Sequence, residues 1–116
     1  MKIYSDKKLK EIKFYKPSSF KDFRGEIWTK WDKKYFSDKN FNLSKFTKSK
    51  KHVLRGFHGD KKSWKLVTCV RGNVLNVVVD YRKKSKDYLK DSSFLLTDKK
   101  KISVLIPPMF LNSWLC

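Results

Sequence analysis

The second half of the chain alternates short apolar runs with polar breaks, a pattern that predicts strands. From residue 53, "VLRGFH", "WKLVTCV", "NVLNVVVDY", "SSFLLT" and "KISVLI" are rich in Val, Leu, Ile and aromatics, residues that suit a pleated, half-buried surface. Between them lie "GDKKS", "RGN", "RKKSKD" and "TDKKK", whose Gly, Asn, Asp and Ser favour turns. The brief "RGN" at 71–73 predicts a hairpin joining the second and third runs. In the third run Val74, Asn76, Val78 and Asp80 share one face, and Leu75, Val77, Val79 and Tyr81 the other. The wholly apolar face is expected between two sheets, and the mixed face along a polar cavity. Pro107 and Pro108 cannot donate to a ladder and are expected to end the last strand. Residues 1–50 are Lys-rich and ambiguous. Their informative part is "SSFKDFRGEIW", where Asp22, Arg24 and Gly25 predict a turn leading into the strand-like "EIWTKW". Short strands at regular spacing predict an all-β sandwich or barrel of jelly-roll type. One domain, 1–116, is expected, without internal repeats.

Composition narrows the picture. A 40% apolar share with nine Phe, five Tyr and four Trp supplies a core for a chain of 116 residues, which argues against wholesale disorder. No apolar run approaches the roughly 18 residues that span a bilayer. "MKIYSDKKLKEIKF" also lacks the apolar stretch of a secretory signal, so a cytoplasmic protein without a membrane partner is expected. Cys69 and Cys116 form neither a CxxC nor a spaced framework, which points to free thiols rather than a zinc site or disulfides. The net charge of +18 invites an anionic partner. Yet the 25 Lys are scattered from Lys2 to Lys101, and Arg, suited to bidentate phosphate and base contacts, occurs four times. Nucleic acid is therefore not the expected partner.

The candidate chemistry gathers on the predicted strands. Arg55 and His58 lie on the first, Lys65 begins the second, and Asp80 and Arg82 end the third. On a regular strand positions 55 and 58 face opposite ways, but Gly56 suits a bulge that would turn both toward one cavity. Taken singly, each residue has an ordinary explanation. His52, after "KSKK", is read as structural, a lysine at a strand start is usually solvated, and Asp80 would pair with a nearby Arg or cap a turn. A cupin-type metal centre needs several converging His and carboxylate ligands. With only His52 and His58 in the chain, no metal and no cofactor is expected.

Four blocks in order, "FKDFRGEIWT", "VLRGFHGD", "KLVTCVRGNVLNVVVDYRKKSKDYL" and "VLIPPMFLNS", span roughly residues 17–114. Together they resemble the dTDP-4-dehydrorhamnose 3,5-epimerase family, cofactor-independent cupin-fold enzymes acting on nucleotide-diphosphate 4-keto sugars. "RGEIWT", "HGD" and "LNS" are more similar to the branch that epimerises GDP-linked 4-keto-heptoses for bacterial capsules. The resemblance implies a cupin-type jelly roll (double-stranded β-helix) and a homodimer that exchanges N-terminal strands. It implies His58 as the base that takes a proton beside the sugar ketone, and Lys65 near the keto oxygen. Arg55 and Arg24 match arginines that hold the nucleotide diphosphate, Arg24 reaching into a partner subunit's site. Asn112 matches a substrate-contacting position where rhamnose-type members carry His, and Glu26 and Asp80 are supporting carboxylates.

The residue types suit that chemistry on independent grounds. Histidine titrates near neutrality and serves as a base. A fixed ammonium neutralises charge developing on an oxygen, and arginine forks fit a diphosphate. Family members continue through strands bearing a tyrosine acid for the sugar's opposite face and an aspartate that orients the base. Neither has a matched position here, so the jelly roll is expected to be incomplete at its C-terminus and inversion impaired. Two rival expectations follow. One is an inactive fragment or nucleotide-sugar- or polyanion-binding protein, and the other a sugar ketoisomerase on the same scaffold.

Overall fold

The computed structural model describes residues 1–116 and contains ten strands and one 3-10 turn. The strands are β1 (Lys2–Ser5), β2 (Lys13–Lys16), β3 (Ser19–Asp22), β4 (Gly25–Trp28), β5 (Leu54–His58), β6 (Lys65–Thr68), β7 (Asn73–Asp80), β8 (Asp91–Thr97), β9 (Ser103–Ile106) and β10 (Phe110–Leu115). Two four-stranded sheets, ordered β1-β2-β9-β6 and β5-β10-β7-β8, are antiparallel throughout, while β3 and β4 form a hairpin of their own. The core lies between the two larger sheets. Phe14, Val104 and Ile106 come from one, Val78, Leu96 and Phe110 from the other, and Leu9 and Ile12 close one end. This is the two-layered all-β architecture expected of a jelly roll. No helix is long and apolar enough to cross a membrane.

Three expectations need correction. First, "RGN" does not make a hairpin. β6 pairs with β9 in one sheet, whereas β7 pairs with β10 and β8 in the other. The chain crosses between layers here. The buried Cys69 thiol lies 3.3 Å from the carbonyls of Arg71 and Gly72, and the Gly72 amide donates to Asp98 Oδ2 at 2.8 Å. Glycine suits the crossover because its φ is +80°.

Second, the all-apolar face of β7 points outward instead of between the sheets, and the mixed face is the inner one. Asn76, Val78 and Asp80 are buried, while Leu75 on the all-apolar face is 40% exposed. The polar side chains enter the interior because they find partners there. The leucines form a row on the outer surface, Leu54–Leu115–Leu75–Leu95, one from each strand of the sheet. Third, Pro107 and Pro108 do end β9, but β9 is not the last strand: the chain crosses to the other sheet as β10. β10 pairs with β5 on one side and β7 on the other, making it a central strand.

Candidate active site

The bulge expected at Gly56 is present. Asn112 pairs with His58 and Trp114 with Arg55, so two steps along β10 match three along β5. Gly56 has a φ of +137°, and a Cβ there would lie 2.2 Å from the Ser113 Cβ. Only glycine fits both the backbone and the space. The extra residue restores Arg55 and His58 to one face, shared with Asn112 and Trp114. That face is the inner one, since Asn112 also pairs with the core residue Val78. The His58 ring stands 6.0 Å from the Trp114 ring, tilted by 48°.

Lys65 occupies the opposite wall. It pairs with Ile106, a fully buried core residue, so its side chain leaves the inner face of the second sheet. The turn Gly59–Trp64 runs directly from the end of β5 to the start of β6. Asp60 shapes it. Its Oδ1 accepts from the Ser63 amide at 2.6 Å and the Lys62 amide at 2.9 Å, and its carbonyl accepts from Met109 N at 2.9 Å. Those amide donors hold the Asp60 carboxyl down to about 2. Its Oδ2 lies 3.7 Å from Lys65 Nζ, a loose ion pair. Gly59 lets the turn approach β10, where a Cβ would come 2.7 Å from the Phe110 carbonyl oxygen.

Arg55 and His58 are exposed to solvent. Arg55 donates through Nε to Ser49 Oγ at 2.9 Å, which leaves its terminal nitrogens free for an anion. The inner face beside them is polar: Asn76 and Asn112, 1% and 2% exposed, are joined by a 3.2 Å hydrogen bond.

The remaining candidates lie elsewhere. Asp80 is fully buried, but both carboxylate oxygens are taken. Oδ1 accepts from Arg82 N and Nε at 2.9 and 3.0 Å, and Oδ2 from Arg82 Nη2 and Ser85 Oγ, both at 2.8 Å. Burial alone would raise the Asp80 carboxyl, yet the Arg82 and Ser85 hydrogen bonds outweigh it and hold it below the usual range. Arg82 continues to Glu11 at 2.9 Å, so Asp80 anchors a fold clamp. Arg24 and Glu26 belong to the β3–β4 hairpin. Arg24 is 74% exposed at its tip and pairs with Asp22 at 2.6 Å, while Glu26 pairs with Lys101 at 2.8 Å. No three His, Cys, Asp or Glu side chains converge as a metal-binding group. Sequence reasoning missed Trp114 and Asp60, and placed Asn76 on a cavity-lining face without giving it a partner. The alternation in "LNSWL" could have placed Trp114 beside Asn112, but only with β10 recognised as a strand.

Two facing antiparallel sheets around one core, with a polar inner face where β5, β10 and β7 meet, define a cupin-type jelly-roll protein. A family model described as dTDP-4-dehydrorhamnose 3,5-epimerase matches residues 6–116. The chain belongs to the dTDP-4-dehydrorhamnose 3,5-epimerase family. The epimerase of that name from Salmonella typhimurium is 30% identical over 112 residues, covering 90% of this chain and 61% of its own length. That of Neisseria gonorrhoeae is 31% identical over 115 residues, with 94% and 35% covered. Among solved structures, dTDP-6-deoxy-D-glucose-3,5-epimerase from Legionella pneumophila in complex with dTDP-4-keto-L-rhamnose superposes with a TM-score of 0.92 at 26% identity. The match covers 98% of this chain and 64% of that one. The dTDP-4-dehydrorhamnose 3,5-epimerase from Elizabethkingia anophelis gives 0.85 at 29% identity, covering 99% and 67%. The chain thus spans about three fifths of the Salmonella relative and about a third of the Neisseria one.

Proposed function

We propose that this chain carries the proton-abstracting half of a nucleotide-diphosphate 4-keto-sugar 3,5-epimerase site. The observation that carries the reading is the Gly56 bulge, which brings an imidazole and a guanidinium onto one inner face opposite the wall that bears Lys65. In this reading Arg55 holds the diphosphate with its free terminal nitrogens. His58 removes the proton from the carbon next to the ketone, and the electron pair of that C–H bond moves into an enolate. The Lys65 ammonium neutralises the charge that forms on the enolate oxygen. Asn112 contacts the sugar from the inner face. Reprotonation from the same face returns the substrate, and reprotonation from the opposite face inverts the centre.

The reading extends to the substrate and the assembly. "RGEIWT", "HGD" and the Asn112–Ser113 pair favour the branch that handles GDP-linked 4-keto-heptoses for capsule synthesis. A homodimer fits the exposed β3–β4 hairpin, whose Arg24 and Glu26 would then serve a second copy's site and help to shut out water. The unpaired Cys69 and Cys116 fit a reducing, cytoplasmic setting.

Solvent exchange tests the base without requiring inversion. In deuterium oxide the protein is expected to incorporate deuterium beside the keto group of a dTDP- or GDP-linked 4-keto sugar, and His58→Ala to abolish it. Exchange by His58→Ala at the wild-type rate overturns the assignment. The net charge of +18 favours a second reading, a polyanion-binding protein. Saturable nucleotide-diphosphate binding that depends on Arg55 supports the first reading. Affinity for any DNA that falls steeply with salt supports the second.

A further inference from the structure

Asn76 lies on the inner face of β7 and has no part in the chemistry above. Its Nδ2 donates to the Ser113 carbonyl at 2.6 Å and to Asn112 Oδ1 at 3.2 Å. A carbonyl only accepts, so the Ser113 contact fixes which end of the Asn76 amide is nitrogen. Asn112 is fixed in turn. Its oxygen faces Asn76, and its Nδ2, which has no partner in the chain, faces away. Asn112 stands directly across the ladder from His58, with both side chains on the inner face. Meanwhile Asn76 Oδ1 is buried without any hydrogen-bond partner. One Asn76 donor satisfies the Ser113 carbonyl and the other is spent on Asn112 Oδ1, at the cost of a buried acceptor left without a partner.

We propose that Asn76 is a positioning residue: it holds Asn112 so that an N–H donor faces the space beside His58, where that donor binds an oxygen of the sugar. Turned the other way, Asn112 would present its carbonyl, and its Nδ2 would oppose the Asn76 Nδ2. The subsite is therefore specific for a hydrogen-bond acceptor, a carbonyl or a hydroxyl lone pair. The nature of the ligand rests on the epimerase reading, whereas the direction of the amide does not.

The test compares two probes, dTDP and dTDP-4-keto-L-rhamnose, across Asn76→Leu, Asn112→Leu and the double variant. Each single variant is expected to lose about tenfold in affinity for the sugar nucleotide, the worth of one hydrogen bond, and to bind dTDP unchanged. The double variant is expected to be no weaker than Asn112→Leu alone, because Asn76 acts through Asn112. Additive losses, or equal losses for both probes, overturn the proposal. Nuclear Overhauser contacts between the Asn112 side-chain amide protons and the His58 ring read the direction of the amide in the unliganded wild type. Their absence also overturns it, with no variant that has to fold. Wild-type protein that binds neither probe overturns the epimerase reading and the sugar contact together, while the Overhauser contacts still decide the amide direction.

Discussion

At Gly56 one missing side chain decides the geometry of the inner face. Any other residue would need the rare φ of +137° and would press its Cβ against Ser113. Gly56→Ala is expected to cost at least ~2 kcal/mol in chemical denaturation. The bulge would relax at the same time, turning Arg55 or His58 outward, so proton exchange should fall more than stability alone explains. Positions 55, 58, 65 and 112 could be picked out from the sequence because they are polar residues in or beside apolar runs. That Arg55 and His58 share a face with Asn112 depends on the bulge, which a glycine allows but does not announce. Trp114, Asp60 and the partners of Asn76 stayed hidden for a related reason. Each owes its place to cross-strand register or a turn contact, and neither is written in local spacing.

Single elements were easier to read than their pairings. β5 to β9 fall where apolar runs predict them, because alternation and turn residues act locally. β1 went unread because all four of its residues are exposed, which leaves no alternation to see. β10 was masked by the two prolines before it. The "RGN" signal misled because a turn residue shows that the chain bends but not which layer it enters. On β7 the apolar face turned outward because buried Asn76 and Asp80 are supplied with partners from β10 and from the 82–85 turn.

The Arg82 clamp sets the strength of that end of β7. Arg82→Ala would strand the fully buried Asp80 carboxylate and free Glu11. Its expected cost, measured by urea denaturation near neutral pH, is about 2–3 kcal/mol, discounted for a guanidinium one-third exposed. Because folding lowers the Asp80 carboxyl below its ordinary 3.8, the wild-type contribution is present above that value and is lost as pH falls through the lower folded one. The gap between wild type and Arg82→Ala should therefore narrow in acid.

At the scale of the whole molecule, apolar surface and positive charge compete. The β3–β4 hairpin pairs only with itself and exposes Phe20, Phe23 and Ile27 at 64%, 97% and 70%. Such a patch, together with the outer leucine row, is more than an isolated soluble chain usually shows. Replacing Phe20 and Ile27 by Ser is expected to leave the melting temperature within a few degrees, since neither touches the core. For the homodimer proposed above, it should also shift sedimentation from dimer to monomer, and a dimer that persists would take the hairpin out of the interface.

The turn from Gly59 to Trp64 joins the wall bearing the imidazole to the wall bearing the amine, and Asp60 stiffens it from within. It behaves like the spring of a pair of tweezers, setting how far apart the tips can rest. In the proposed reading a longer arc would let the walls part for a bulkier guest, while the pairing of β6 with β9 keeps the lysine on the same side. The size of molecule that can be gripped would then be lodged in a segment that touches none of the reacting atoms.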